Sequence, residues 1–359
     1  MKRTFRAPGR VNLIGEHTDY NLGFVLPVAL DLATWITAEP STDGMLHVFS
    51  EARNARRAWP VSEIPGLTRA GHWSDYVAGV AQQLVRHGYA IEPQRLSIRS
   101  TIPEGAGLSS SAALEVAATL ALSRDPAPAE VVRIAHRAEV EFVGLPCGMM
   151  DQYVSVYGHE NSALKIDCRS LTHEIVRLPP GALILIVNSM VKHELGKSAY
   201  AQRVEECRQA AAALGVASLR DATMEQLERI PLPDAILRRA RHVILENGRV
   251  LRFVEASGGR DLPGMGRLLL ESHRSLRDDY EVSAAELDFL VEKAMTVDGV
   301  LGARMTGGGF GGCILALLGP DAEARFRETI QREYRRKFGL DPAIYPCRPA
   351  AGVGEIPAG

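Results

Sequence analysis

Apolar and polar positions change period several times along the chain. In the first third, Thr34–Ala38 and Leu46–Phe49 are rich in β-formers and bounded by Pro40 and Asp43–Gly44, which predicts short strands. Ser74–His87 sets Val77, Val80, Ala81, Leu84 and Val85 at helical spacing. Arg95–Ile102 alternates Leu96, Ile98 and Ile102, the pattern of a half-buried strand, and stops at Pro103. A helical pattern runs from Ser109 to Leu122, breaks at Asp125–Pro126, and resumes from about Ala129 to Val143. Ala182–Val187 reads as a buried strand. Ser198–Leu214 reads as a helix with Tyr200, Val204, Cys207, Ala211 and Leu214 on one stripe. Helical segments fill Asp221–Met295. The end alternates strand (Val300–Met305, Cys313–Leu318), helix (Ala322–Phe338) and strand (Ala343–Cys347).

Strands grouped with strands and helices with helices favour an α+β fold over a doubly wound parallel sheet. There is no Pro/Gly/Ser-rich linker and no repeat of fixed period. Two tightly packed domains are expected, 1–165 and 166–359, with the division falling near Asn161–Leu178.

Composition narrows the class of partner. A hydrophobic fraction of 46% and a charged fraction of 23% are those of an ordinary globular protein, and the formal charge is −2. That balance gives no global attraction to nucleic acid or to an anionic membrane, so small molecules are the expected partners. The five cysteines are scattered and contain no CxxC pair, which suggests neither a disulfide framework nor a zinc site. No apolar stretch follows the basic segment MKRTFRAPGR, and the longest apolar runs fall far short of the ~20 residues of a membrane span. A cytoplasmic location is expected.

Two segments carry chemistry. PEGAGLSSSAALEVAATLAL, from Pro103, puts Gly105 and Gly107 after a strand and three serines at the head of a helix. Glycines let backbone approach an anion, a helix start offers free N–H groups, and a serine hydroxyl is a ligand for Mg²⁺. The loop lacks the Gly-Lys-Ser/Thr ending of a Walker A motif. A plainer alternative is that Ser109 only caps the helix. The second segment, GRVNLIGEHTDYNLGFVLP at 9–27, packs Arg10, Asn12, Glu16, His17, Asp19, Tyr20 and Asn21 into a short stretch. It reads either as a solvated turn or as a site for a ligand with several adjacent hydroxyls.

Segment 9–27 resembles the galactokinase signature almost letter for letter. The 103–113 loop resembles the ATP-binding motif of the wider family of galactokinase, homoserine, mevalonate and phosphomevalonate kinases, and GARMTGGGFGGC at 302–313 resembles that family's C-terminal glycine motif. The three occur in family order across nearly the whole chain. One departure is the small number of residues before Arg10, expected to trim a peripheral segment only.

The resemblance implies a two-domain fold with its active site in the cleft between the domains, and transfer of the γ-phosphate of ATP to the C1 hydroxyl of galactose. It implies Arg10 beside the transferring phosphoryl group and Asp151, in PCGMMDQ, as the catalytic aspartate. Glu16, His17, Thr18, Asp19, Gly148, Asp151 and Tyr200 would bind the sugar. Gly105, Ala106, Gly107, Leu108, Ser109, Ser110 and Ser111 would hold the ATP phosphates, with Trp73 flanking the adenine. Ser111 and Glu139 would hold Mg²⁺, and Gly307–Gly309 with Gly311 and Gly312 would approach phosphates and sugar. A monomer is expected. Taken on their own residues, Tyr200 reads equally as a core tyrosine, Glu139 as a surface charge, and Gly307–Gly312 as a turn. An N-acetylgalactosamine kinase and a non-catalytic galactose sensor are the rival readings. The sensor branch lacks the Ser-Ala pair that follows the first serines, whereas here Ser109, Ser110, Ser111, Ala112 and Ala113 are all present, as are Arg10 and Asp151.

Overall fold

The β-rich first hundred residues build most of one sheet. A computed structural model describes residues 2–103, 105–192 and 196–357. Its six-stranded sheet comprises β1 (Arg3–Asn12), β3 (Pro27–Pro40), β4 (Met45–Ser50), β5 (Ala55–Pro60), β6 (Gln94–Ser100) and β13 (Gly354–Ile356). The order is β13-β1-β3-β6-β4-β5, antiparallel except where β4 runs parallel to β6. Helices α1 (Asp75–Arg86), α2 (Ser110–Leu122), α3 (Pro128–Arg137) and α4 (Met150–Tyr157) belong to the same half of the chain. Of these α2 is apolar nearly all round and correspondingly buried, with Ala112, Ala113, Val116, Ala117 and Ala118 inaccessible.

A second sheet has the order β10 (Val300–Thr306), β11 (Gly311–Leu318), β9 (Leu183–Lys192) and β12 (Ala343–Pro346), all antiparallel. The apolar runs that mark β9 and β11 are continuous because both faces of these strands are covered. Ile184, Ile186, Leu315 and Leu317 join the core beneath the six-stranded sheet, while Leu185, Val187, Ile314 and Ala316 join a second core with α9 (Ala285–Ala294) and α10 (Glu323–Phe338). Between β9 and β12 in sequence lie also α5 (Gly196–Leu214), α6 (Met224–Glu228), α7 (Asp234–Gly258) and α8 (Leu262–Asp278). A third, small sheet joins β2 (Phe24–Val25) to the hairpin β7 (Ser162–Asp167) and β8 (Thr172–Arg177). The architecture is α+β, as the grouping of elements predicts.

Three local features position the site. Gly9 lets β1 touch the 103–109 loop, since a Cβ there would stand 2.6 Å from the Leu108 carbonyl oxygen. The helix expected over Ala129–Val143 is α3 followed by a π-helical turn at Ala138–Val143, which carries Glu139 into a buried position. The stretch 161–178 is the β7–β8 hairpin, and β13 returns the end of the chain to β1.

Candidate active site

Arg10 stands near the end of β1, where the pairing with β3 shifts register between Pro8 and Arg10. Its backbone N–H donates to the Leu108 carbonyl at 3.1 Å, which ties the strand to the glycine loop. Its guanidinium donates through Nε to Asp151 Oδ1 at 2.7 Å, through Nη2 to Oδ2 at 2.6 Å, and through Nη1 to the Gly107 carbonyl at 2.7 Å. Burial works against that charge, but Asp151, Glu16 and Asp19 together raise the Arg10 pKa above its ordinary value. Asp151 itself lies in the first turn of α4, where a carboxylate is favoured by the helix dipole.

Ser109 has a left-handed backbone, φ 57°, and its hydroxyl donates to Asp151 Oδ2 instead of capping α2. The simple capping role is thereby excluded, since the Ser109 side chain makes no cap hydrogen bond to the first turn of α2. A helix start without such a cap keeps backbone N–H donors free for other partners. Gly105, Gly107, Leu108 and Ser109 to Ser111 border a cavity of ≈ 370 Å³ that is closed on its other side by Gly307 to Gly312. Ala106 does not border it. Its side chain is buried and its carbonyl accepts from the Cys313 thiol at 2.8 Å.

A smaller cavity of ≈ 160 Å³ adjoins the first and shares Arg10, Asp151, Gly307 and Gly308 with it. Glu16, His17, Asp19, Gly148 and Tyr200 also border it. Glu16 is buried and accepts from the Gly307 N–H at 2.8 Å and the Thr306 hydroxyl at 3.0 Å, with the fully buried Arg304 at 3.1 Å. His17 is held neutral: burial first, then His242, Arg203 and Arg304, push its pKa well below the ordinary value. Asp19 is pushed up to about 7, by burial and then by the charge of Asp151. Gly148 packs so closely on Asp19 that a Cβ would lie 2.1 Å from Oδ2. Tyr200, on α5, sets its ring 5.5 Å from that of His17. Thr18 does not border the cavity; its hydroxyl sits between the carbonyls of Gly15 (2.8 Å) and Phe24 (2.6 Å) and holds the loop itself.

A third cavity, ≈ 540 Å³, shares Tyr76, Gly105, Ser110 and Ser111 with the phosphate-loop cavity and has Trp73 in its wall. The three form a continuous trough. Beside it Ser111 donates to Glu139 Oε1 at 3.0 Å. Glu139 is buried, contrary to the surface position its helix suggests, and burial followed by the Asp151 charge raises its pKa. Gln152 donates to Glu139 Oε2 at 2.6 Å and to Glu115 Oε2 at 3.2 Å. Glu115, Gln152, Tyr76, Arg304 and Thr306 are among the site residues that sequence reasoning missed, as are Cys147 and Met150 in the wall of the small cavity. Of these, Arg304 and Thr306 fall within the quoted 302–313 motif, and Glu115 stands one turn beyond Ser111 on α2. Among the described residues no group of three or more His, Cys, Asp or Glu could hold a metal by itself.

The chain is similar to known proteins along nearly its whole length. Residues 2–40 match the galactokinase galactose-binding signature, 75–159 the GHMP kinases N terminal domain, and 253–336 the GHMP kinases C terminal domain. A galactokinase of Roseiflexus sp. (strain RS-1) is 43% identical over 98% of this chain and 92% of its own length. The chain belongs to the galactokinase family. A galactokinase of Thermotoga maritima is 42% identical over 98% of this chain and 99% of its own. The crystal structure of Lactococcus lactis galactokinase complexed with galactose superposes with a TM-score of 0.94 at 33% identity, covering 98% of this chain and 95% of that one. The mevalonate kinase of Methanococcus jannaschii, at 18% identity and a TM-score of 0.71, shares the fold. Like other galactokinase family members the chain is an ATP-dependent sugar kinase of the GHMP group. No helix among the described residues is long and apolar enough to cross a membrane.

Proposed function

We propose that the protein transfers the γ-phosphate of ATP to the C1 hydroxyl of D-galactose, giving galactose 1-phosphate and ADP. One observation carries the reading: the Arg10–Asp151 pair is common to the wall of the small polar cavity and the wall of the phosphate-loop cavity. A group at that junction touches both reactants. The sugar takes the small cavity, with Glu16, His17, Asp19 and Tyr200 on its hydroxyls. The triphosphate lies along Gly105–Ser111 and Gly307–Gly312, and the adenine enters the cavity of Trp73 and Tyr76.

Phosphoryl transfer through a loose transition state depends on in-line positioning and charge neutralisation more than on strong base catalysis. Arg10 faces the transferring group and stabilises the charge that spreads over its oxygens. Asp151 already accepts two N–H groups from Arg10 and the Ser109 hydroxyl. Its remaining lone pairs take the C1 hydroxyl, orient it, and receive its proton late. Ser111 and Glu139 fit Mg²⁺, since both are oxygen donors, converge to 3.0 Å, and stand beside the phosphate loop. An ion held there would supply positive charge to offset the negative charge of the triphosphate. Residues 1–165 and 166–359 act as the two walls of the cleft, and the reaction as proposed draws on groups of one chain, as a monomer would supply them. Five free cysteines suit a reducing cytoplasm.

A coupled ADP-release assay over a panel of sugars tests the assignment. Galactose is expected to turn over at a kcat/KM at least about 10²-fold above glucose and N-acetylgalactosamine, because buried polar groups in the pocket reject ill-matched partners. Equal turnover of N-acetylgalactosamine would reassign the sugar. Tight galactose binding without ADP release would turn the protein into a sensor.

A further inference from the structure

One wall of the small cavity is anchored from outside it. Among the described residues His17 Nε2 is buried and has no hydrogen-bond partner of good geometry, although the Gly308 backbone lies near enough to the ring to favour its charged form slightly. On the far side of the ring, Nδ1 lies 2.9 Å from the Tyr20 hydroxyl. That hydroxyl is 2.7 Å from the Tyr280 hydroxyl, which is in turn 3.1 Å from Cys207 Sγ. The four groups come from the loop after β1, from α5 and from the segment following α8. Tyr280 and Cys207 are 0% and 2% exposed, and neither borders the cavity. The Tyr280 ring also lies against His17, with centroids 4.7 Å apart, so the imidazole plane is held as well.

Each bridging hydroxyl has a single proton, so a chain of this kind runs one way only. In one direction the thiol donates to Tyr280, Tyr280 to Tyr20, and Tyr20 to Nδ1. In the other, Nδ1–H donates to Tyr20 and the chain ends with Tyr280 donating to sulfur. The first direction ends on the imidazole nitrogen, the strongest acceptor of the four, and begins at the thiol, the weakest. It leaves the proton of the neutral ring on Nε2.

We propose that Tyr20 and Tyr280 are positioning residues that fix His17 as its Nε2–H tautomer and aim that N–H into the cavity as a donor to a sugar hydroxyl oxygen. The inference rests on the reading of this cavity as the galactose site. The relay also explains why a histidine with one orphaned nitrogen is tolerated in a buried position: the orphan is the group that the ligand satisfies.

Tyr20→Phe and Tyr280→Phe remove one oxygen each and keep the rings. By calorimetry, galactose Kd is expected to rise about 10-fold in Y20F and a few-fold in Y280F, with ATP Kd unchanged, as leaving a buried nitrogen unpaired implies. The double variant should bind no more weakly than Y20F alone, because both changes cut one chain. Additive losses, or Kd values within about twofold of wild type in both single variants, would overturn the relay. His17→Ala separates the two readings. If it leaves galactose affinity intact, the sugar assignment fails; if it weakens binding while the tyrosine variants do not, only the relay fails. Nitrogen-15 histidine spectra of the wild-type protein decide independently of any variant's stability. An Nε2–H signature for His17 is expected, and an Nδ1–H signature would refute the proposal.

Discussion

Two aspartates border the same small cavity, and their surroundings differ in kind. Asp151 takes both donors of the Arg10 fork and the Ser109 hydroxyl, and Arg10 is itself tied back to the Gly107 carbonyl. Asp19 has backbone N–H groups at Tyr20 and at its own position, Gly148 pressed against it, and no cation paired with it among the described residues. Burial and the Asp151 charge accordingly push it up to about 7. The same residue type is therefore preorganised by a cation at one end of the cavity and held without one at the other. Pairing suits a group that must keep one geometry through a transition state. Under-pairing suits one whose missing partners arrive with the ligand.

The sharpest way to break this comparison is to remove its paired member. Asp151→Ala should lower kcat by on the order of 10³ or more, the loss of an orienting and proton-accepting group, while ATP affinity by calorimetry stays close to wild type. Near-normal kcat would refute the role. Arg10→Ala should lose on the order of 10² in kcat, the scale of a transition-state charge donor. A change confined to KM would make Arg10 a binding group only. Gly148→Ala tests the other end: its methyl group cannot coexist with Asp19 Oδ2, and the KM for galactose should rise about 10-fold, as overpacking costs of this kind imply, with the KM for ATP unmoved. The smallest effect is the most specific. Sugar hydroxyls donate to the ionised form of Asp19, so galactose affinity should climb a few-fold as pH rises through about 7, and Asp19→Asn should flatten that profile. The raised pKa means the folded state holds this proton more tightly than the unfolded chain. Its contribution to stability is present at acid pH and is lost as pH rises through about 7. Asp19→Asn should therefore melt higher than wild type at pH 8, by a margin that shrinks toward pH 5.

Legibility in the sequence followed the range of the physics. Regular strands and helices such as β4, β6, α1 and α10 were readable because their patterns are local. β1 was not, since Arg3–Asn12 carries three arginines, Pro8 and Gly9, and its apolar positions mark one face only weakly. The glycine–serine turn that opens α2 and borders a cavity was readable because glycines, serines and a helix start are neighbours in sequence. Glu115, Gln152 and Glu139 were unreadable as a group: their burial depends on α2, α4 and the π-helical turn meeting, and buried charges look like surface charges until their partners are known. Arg304 is the extreme case, fully buried yet ion-paired with Glu16 and donating to the Leu13 carbonyl, both far from it in sequence.

The pairing of β13 with β1 has a temporal side. Thr4, Phe5 and Arg6 form their ladder with Ile356, Glu355 and Gly354, so the strand that carries Arg10 is synthesised long before the strand that covers its outer edge. At ribosomal rates its outer edge stays unpaired for on the order of half a minute. During that interval a row of free N–H and C=O groups is open to any passing strand. The nascent chain meets that exposure with charge, as Lys2, Arg3 and Arg6 keep the waiting edge cationic.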